Sequence, residues 1–471
     1  MNIYKNLGRN TLVFTIGNIG SSLITFLMLP VFTNYLSTSE YGTIDIITIT
    51  LNLIMPFFTL NIADSILRYA MDKEYDNTKV FTTSLYIFLT LSCITLPIAF
   101  IISRFISIPI NSFLILAIVF SMFLYPILQQ FTRAIGKTKI FVTADIMFTL
   151  IFSIANIILV VKYSMGISGY FISLVIGKTI AILFLIITAR LYKYVKVRSY
   201  DSGYANEFIK YSLPLMPNSI SWWIVNLSDR FMLQFFCGTS ITGIYSVANK
   251  IPTVLSTLYN IFFKAWQMSS YETYGSEDSK QFYENVFKYL NIFMTVMSMG
   301  IIIFIDLIVK IFIGKNFYDA IYYIPILIIA FVYSSYSSFI GTIYTASKNT
   351  RGILKSTIMS AVINIVINVI FIPIFGELIA AWSTAISYII LFVFRVKDTR
   401  RFMEIKLNYR KLVVTTSMLL LQAICVIVCN NIVIKLLVNS FIFIVYLILE
   451  RKEIVKLIIE TKKVIKLKKS R

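Results

Sequence analysis

The sequence predicts an all-α polytopic membrane protein with about 14 transmembrane helices, arranged as two homologous six-helix halves plus two extra C-terminal helices. The chain of 471 residues is 58% hydrophobic and only 14% charged, whereas soluble domains are roughly half apolar and about a quarter charged. Apolar runs of about 20 residues, long enough to cross a bilayer, recur along the whole length. The chain also resembles itself at a fixed offset. These three observations leave no room for a separate soluble domain.

Hydropathy places the predicted spans along the chain, with only short connections between most of them. The spans are predicted at 11–33, 42–66, 79–103, 111–132, 140–161, 168–190, 211–235, 241–268, 286–309, 319–346, 355–375, 377–395, 411–430 and 432–450.

The distribution of Lys and Arg predicts the orientation of these spans, because positive residues collect in cytoplasmic loops. Of the 43 Lys and Arg residues, 34 fall in the termini and the even-to-odd connections, counting span ends with their loops. The opposite loops hold 5, and the remaining 4 lie inside spans. The sequence therefore predicts a multi-pass protein of the cytoplasmic (inner) membrane with both termini in the cytoplasm and an even number of spans.

An internal repeat divides the chain into two halves. The polar matches are the informative ones, because apolar residues match often by chance in a sequence of this composition. At an offset of 201 residues the matches include Thr38/Thr239, Ser39/Ser240, Gly42/Gly243 and Lys79/Lys280; at 212 they include Ala134/Ala346, Thr138/Thr350, Lys139/Arg351 and Asn156/Asn368. We expect an N-terminal half at 1–195, a C-terminal half at 205–397, two additional helices at 409–450 and a basic cytoplasmic tail at 451–471. Two halves that enter from the same side form a parallel repeat, with a pseudo-two-fold axis along the membrane normal.

Composition excludes several function classes. The net charge of +21 fits the cytoplasmic loops of a membrane protein better than nucleic acid as a partner. The chain has no histidine, so histidine bases and histidine metal ligands are excluded. The cysteines, interpreted as small core residues rather than metal ligands, are Cys93, Cys237, Cys425 and Cys429. The Lys-rich tail is predicted either as an amphipathic helix on the inner leaflet or as a solvated segment.

Polar side chains form stripes on four predicted spans, two in each half. Steps of three and four residues place the members of a stripe on one helical face. The stripes comprise Asn18, Ser22 and Thr25 on span 1; Asp45, Thr48, Asn52 and Thr59 on span 2; Ser219, Trp223, Asn226 and Arg230 on span 7; and Lys250, Thr253, Thr257, Asn260 and Lys264 on span 8. The simplest account is a central, water-accessible, cationic cavity lined by spans 1, 2, 7 and 8.

Cations inside spans are the candidate substrate contacts, since an intramembrane Lys or Arg costs roughly 2.5–3.5 kcal/mol on insertion scales. Lys250 is deep and belongs to a stripe. Lys264 could instead snorkel to the cytoplasmic interface, and Arg230 could pair with Asp229 or reach the outer interface. Lys178, at mid-depth in span 6, could pair with Asp145 or Asp45 or face the cavity. Trp223 is interpreted as an interface or packing residue, and the more specific alternative is that its indole stacks on a sugar ring.

Several segments resemble a known family. The run KYSLPLMPNSISWWIVNLSDRFMLQFFCGTSITGIYSVANK resembles the start of the second half of bacterial polysaccharide transporters, the Wzx-type oligosaccharide (O-antigen) flippases of the MATE-like flippase superfamily. LPVFTNYLSTSEYGTIDI and RAIGKTKIF are similar to that family's first-half segments. The resemblance covers essentially the whole chain.

The resemblance implies a non-enzymatic flippase that moves an undecaprenyl-diphosphate-linked glycan from the cytoplasmic to the outer leaflet by alternating access. On this hypothesis Lys250, Arg230, Lys264 and Lys178 contact the diphosphate, and Asp45 and Asp229 are coupling or gating carboxylates. No cofactor is expected, and coupling to protons or sodium ions stays open. The expected partners are the lipid-linked glycan, membrane lipids and polysaccharide assembly proteins, without nucleic acid.

Three alternatives stay open at this point. A multidrug/cation antiporter of the same superfamily is disfavoured because the intramembrane charge is mainly basic. A membrane-embedded polysaccharide polymerase is disfavoured by the short outer loops, and an anion channel by the repeat and the kinked spans. At an offset of 201, Arg230 and Lys250 match the uncharged Leu29 and Ile49. The predicted cationic character is therefore weighted to the second half.

Overall fold

The computed structural model describes residues 17, 19–72, 74–105, 109–347 and 350–456, and every regular element within those ranges is helical. The prediction of an all-α polytopic membrane protein is therefore confirmed. The chain forms two compact units, one up to Leu227 and one from Ser228 onward.

The first unit packs its helices around a core of large apolar side chains. Phe81 and Phe131, both almost fully buried, stack with ring centroids 4.3 Å apart. The elements are α1 (Leu29–Tyr35), α2 (Thr38–Thr59), α3 (Ile62–Ala70), α4 (Asn77–Phe105), α5 (Ser112–Ala134), α6 (Thr138–Asn156), α7 (Gly166–Thr188), α8 (Ser202–Ser212) and the first part of α9 (Met216–Ala248).

The second unit is built around one buried helix. In α13 (Ala320–Ala346), 83% of the most apolar window is buried, a far larger share than in most of the other spans. The remaining elements are the end of α9, α10 (Lys250–Thr273), α11 (Ser279–Ile303), α12 (Ile305–Phe312), α14 (Thr350–Phe375), α15 (Leu378–Thr399), α16 (Tyr409–Val428) and α17 (Ile432–Leu449).

Within the described ranges, 12 helices are long and apolar enough to cross a membrane. The difference from the predicted 14 has two sources. The first predicted span is represented by a shorter apolar helix, Ile19–Tyr35, and begins outside the described residues. The seventh and eighth predicted spans form one continuous apolar run, Leu227–Tyr271.

That continuous run contains a reversal at Gly238. Gly238 has φ 85° and ψ 178°, a backbone conformation that is essentially restricted to glycine. Tyr245 Oη lies 2.5 Å from Asp229 Oδ2, although a straight helix would separate two residues 16 positions apart by about 24 Å. The run therefore folds back on itself and supplies two helical segments, as the two predicted spans require.

Helix boundaries recur between the two units with the offsets of the sequence repeat. Helices α5 and α13 end 212 residues apart, at Ala134 and Ala346, and α6 and α14 begin 212 residues apart, at Thr138 and Thr350. At the 201 offset, the break at Gly238 corresponds to Ser37, which caps α2. Ser37 Oγ accepts from the Glu40 amide, and the Glu40 carboxylate accepts from the Ser37 amide 2.8 Å away, a capping box.

Most of the predicted basic tail at 451–471 lies outside the described residues, as does the amphipathic helix predicted there. Its first residues continue from α17, and Glu453 forms an ion pair with Lys288 of α11.

Candidate functional site

The most enclosed charged group predicted to act in transport is the Asp229 carboxylate on α9. Asp229 is 7% exposed. Its Oδ2 accepts a hydrogen bond from Tyr245 Oη at 2.5 Å and lies 3.5 Å from Thr384 Oγ1 on α15. Its Oδ1 accepts from the amide of Arg230 at 2.9 Å. The reversal at Gly238 brings Asp229 and Tyr245 together, and α15 completes the surroundings.

A network of amides and hydroxyls extends from this carboxylate between α14 and α15. Asn364 Nδ2 lies 3.3 Å from both Ser383 Oγ and Thr384 Oγ1. Asn368 Nδ2 donates to Asn364 Oδ1 at 3.2 Å, and Ser383 Oγ donates to Asn368 Oδ1 at 2.6 Å. Asn364, Asn368 and Ser383 are all buried. Together with Asp229 they form a continuous polar network within the second unit.

The donor set of this network suits a proton or a small hard cation. It offers one carboxylate, the hydroxyls of Tyr245 and Thr384, the carbonyl oxygen of Ala380 and amide oxygens. Oxygen ligands select hard cations, and a single carboxylate balances one positive charge. The ranges that the structure describes contain no group of three or more His, Cys, Asp or Glu side chains able to hold a metal ion.

Sequence reasoning selected Asp229 but missed most of its partners. The repeat identifies Asn368 only as the match of Asn156, and the sequence analysis does not predict a role for Asn364, Tyr245 or Thr384. A signal was present, because two asparagines four residues apart share one face of a helix that is otherwise apolar.

The predicted stripe on span 8 lies along α10. Lys264, Thr253 and Asn260 are exposed, and Lys250 and Thr257 are partly buried. Thr253 Oγ1 donates to the Lys250 carbonyl at 2.5 Å, and Thr257 Oγ1 donates to the Thr253 carbonyl at 3.0 Å. Hydroxyls bonded in this way are satisfied by their own helix. The same helix carries the ammonium groups of Lys250 and Lys264, and the Asn260 amide donates to Ser256 Oγ at 3.4 Å.

The polar residues predicted on spans 1 and 2 lie in the first unit. Ser22, Thr25 and Asn52 are exposed, and Asp45 is partly buried. Thr25 Oγ1 donates to the carbonyl of Ser21 at 2.9 Å. Asn18 lies outside the described residues.

The start of α9 packs against the helices of the first unit. Trp223 Nε1 donates to the Ile49 carbonyl of α2 at 2.7 Å. Asn61 Nδ2 donates to Ser219 Oγ at 2.9 Å. The indole thus makes a packing contact with a polar end, and the helical position of Asn226 is described without its side chain.

Lys178 lies among aromatic rings in the first unit. Its Nζ is 3.8 Å from the ring centroid of Tyr125 on α5 and 4.2 Å from that of Phe148 on α6. The Asp145 carboxylate is 3.3 Å from both Tyr125 Oη and Gln129 Nε2. Lys178 and Asp145 therefore share Tyr125 as a neighbour, and the pairing predicted for Lys178 stays a prediction.

The roles predicted for these residues and the central cavity stay predictions. Within the second unit, Asp229, Arg230, Lys250 and Lys264 lie on two consecutive helices, α9 and α10. Asp45 and Lys178 belong to the first unit.

These features define a class: a polytopic membrane protein of two repeated helical halves with a polar, charged face on membrane-crossing helices. The family of polysaccharide biosynthesis proteins matches residues 7–267, and the chain belongs to this family. A comparison with curated protein sequences gives no match.

Solved structures of membrane transporters share the fold. The lipid II flippase MurJ in an inward closed conformation superposes with a TM-score of 0.71 at 15% identity, over 94% of this chain and all of MurJ. An outward-facing multidrug resistance MATE family transporter gives 0.58 at 14% identity, over 84% of this chain and 95% of the transporter. A MOP superfamily transporter from Pyrococcus furiosus, described as having a binding pocket of reverse polarity, superposes with a TM-score of 0.58 at 14% identity. The match covers 84% of this chain and 96% of that transporter.

Proposed function

We propose that this protein is a flippase that moves an undecaprenyl-diphosphate-linked oligosaccharide from the cytoplasmic to the outer leaflet of the cytoplasmic membrane by alternating access. The proposal rests on the family of polysaccharide biosynthesis proteins. The observation that carries the choice of substrate is the face of α10, where Lys250 and Lys264 accompany Asn260 on a helix of a membrane-crossing run.

An anionic substrate explains why this face is cationic. A diphosphate attached to a glycan must cross about 30 Å of hydrocarbon, and ammonium groups replace part of the water that it loses. Charge-assisted hydrogen bonds to phosphate oxygens are roughly twice as strong as neutral ones. Amide groups such as that of Asn260 match the hydroxyls of the sugars.

The Asp229 network supplies a site for a coupling ion. The buried Asp229 carboxylate, which accepts from Tyr245 and lies near Thr384, offers oxygen ligands to one proton or one sodium ion. Arg230 follows Asp229 on α9, and its amide donates to the same carboxylate. Transport in this scheme is driven by ion binding, without covalent catalysis.

Alanine substitution of Lys250 and Arg230 tests the assignment of the substrate. Cell-surface polysaccharide is measured in cells that depend on this chain, at matched levels of protein in the membrane. We expect each variant to lower export about tenfold or more, the loss of one hydrogen bond to a charged group. Lys310→Ala, an exposed lysine of α12 in the same unit, is the control and should export normally. Normal export in both Lys250→Ala and Arg230→Ala would overturn the proposal.

A multidrug/cation antiporter is the second candidate, favoured by the shared fold of MATE transporters and by the Asp229 network. Drug tolerance of cells that express the chain distinguishes the two. Raised tolerance to organic cations, lost in Asp229→Asn, together with unchanged surface polysaccharide would favour the antiporter.

A further inference from the structure

A buried cation of the second unit lies on α15. Arg395 is 7% exposed. Its Nε donates to Ser356 Oγ at 3.0 Å, one Nη donates to the Ser337 carbonyl at 2.9 Å, and the other donates to Thr357 Oγ1 at 3.0 Å. The guanidinium thus joins α13, α14 and α15 through neutral oxygens.

No carboxylate forms an ion pair with Arg395 in the part of the chain that the structure describes. Gly341 provides the space, because a Cβ at this position would approach an Nη of Arg395 to 3.0 Å. Removing such a buried group leaves several polar partners unsatisfied.

The surroundings of Arg395 correspond to those of Lys178. At the 212 offset of the repeat, Ser337 matches Tyr125, whose ring Lys178 contacts, and Thr357 matches Asp145, which accepts from Tyr125. The helices α13, α14 and α15 match α5, α6 and α7 in order. Each unit therefore places one cation at the junction of the same three helices.

The two cations themselves are not repeat matches. Gly166 is the first residue of α7, and Gly376 lies just before α15; both have positive φ and they are 210 residues apart. At an offset of 210, the buried face of α7 matches the buried face of α15. Both residues are buried in each of the pairs Phe171/Ala381, Ser173/Ser383, Ala181/Leu391 and Leu185/Arg395. Lys178 then matches Tyr388, and Arg395 matches Leu185, two helical turns away. Alignment of the halves therefore does not reveal the shared feature.

The chemistry of each junction fits the cation that it holds. Tyr125 and Phe148 present ring faces near one carboxylate, an arrangement that suits a compact ammonium. Three separate acceptors around Arg395 suit a planar guanidinium, whose donors point in fixed directions.

We propose that the three-helix junction of each half is a cation site that the chain fills itself, with an ammonium from Lys178 in the first half and a guanidinium from Arg395 in the second. Both are positioning residues that hold three helices of a half together as one group. The proposal concerns the stability of the halves and is independent of the transport function.

Chemical rescue of the purified full-length protein tests this. Lys178→Ala and Arg395→Ala should each lower the Tm by about 5 °C or more, because a buried polar network loses one partner. Added n-propylammonium should restore the Tm of Lys178→Ala but not that of Arg395→Ala, and ethylguanidinium should do the reverse. Lys264→Ala, an exposed lysine, should show neither the loss nor the rescue. Absence of rescue in both variants, or the same gain in the unmodified protein, would overturn the proposal.

A second pair of variants serves if the alanine variants do not fold. Lys178→Met keeps the length of the stem and removes the charge, which leaves Asp145 beside an apolar chain. Adding Asp145→Asn should then recover part of the lost Tm, since the uncompensated carboxylate is gone. Lys178→Arg should remain more stable than Lys178→Met. If Asp145→Asn lowers the Tm further and Lys178→Arg equals Lys178→Met, the ammonium site is refuted.

Discussion

The phenolic hydroxyl of Tyr245 donates a hydrogen bond to the Asp229 carboxylate, with 2.5 Å between Tyr245 Oη and Asp229 Oδ2. The two residues lie on opposite sides of the reversal at Gly238 in the chain. One hydrogen bond therefore links the orientation of two helical segments to the state of one buried acid. In the proposed coupling scheme an ion bound at Asp229 would compete with this bond, which would connect ion occupancy to helix geometry.

The first prediction concerns ion dependence. If the coupling ion is sodium, the Tm of the purified protein should be higher in sodium chloride than in the same concentration of choline chloride. If it is a proton, the Tm should change with pH. In both cases a ligand that binds only the folded state stabilises it by RT ln(1 + [L]/Kd). Asp229→Asn should abolish that response. Asp319→Asn, at an exposed carboxylate, should retain it. An unchanged response in Asp229→Asn would show that the ion binds elsewhere.

The second prediction concerns the backbone at Gly238. A Cβ at this position meets no atom within 4 Å, so Gly238→Ala introduces backbone strain alone, roughly 1–3 kcal/mol. We expect a lower Tm and weaker transport. Gly300→Ala is the matched control: it lies within α11, also meets no atom within 4 Å and has no positive φ. That control should be neutral or stabilising, and an equal effect of both substitutions would contradict the role of the reversal.

The third prediction is a pH dependence at the start of α8. The Lys79 ammonium, 3.1 Å away, and the backbone amides of Tyr204 and Gly203 hold the pKa of Asp201 below its usual range. A lowered pKa in the folded state contributes stability above the unfolded pKa of about 3.9, and this contribution is lost as pH falls through the folded value.

Asp201→Asn keeps the helix cap and removes the charge. We expect a small loss of unfolding free energy at pH 7, because the pair is exposed, and a difference that shrinks as pH falls below the unfolded pKa of about 3.9. Thermal unfolding from pH 7 to pH 3 measures this. A difference that grows toward low pH would contradict the assigned sign.

The fourth prediction is the topology. In a variant without the four native cysteines, a cysteine at Lys162 should react with an impermeant thiol reagent in intact cells, and one at Arg198 should react only after lysis. Both positions are exposed, so the side of the membrane on which each cysteine lies decides whether the reagent reaches it. A reporter fused after Arg471 that is active only outside the cell would also refute cytoplasmic termini.

The candidate site was predictable only in part. Asp229, Lys250 and Lys264 stood out because charge in an apolar segment is improbable without a partner or a function. The Asn364 and Asn368 network was not selected, because neutral amides are common in such segments and their partners on α15 are distant in sequence. Lys178 was selected, but its aromatic neighbours on α5 and α6 were not.

The sequence by itself determined that this is an all-α membrane protein of two repeated halves. Hydropathy, the Lys and Arg distribution and fixed repeat offsets are local or periodic properties, and they hold before any helix meets another. Only the tertiary structure decided that Gly238 folds one apolar run into two segments, that Tyr245 reaches Asp229, and that Lys178 and Arg395 enter matching junctions from non-matching positions. Those facts depend on which helices pack together, because a buried polar group must find its partner wherever packing places one.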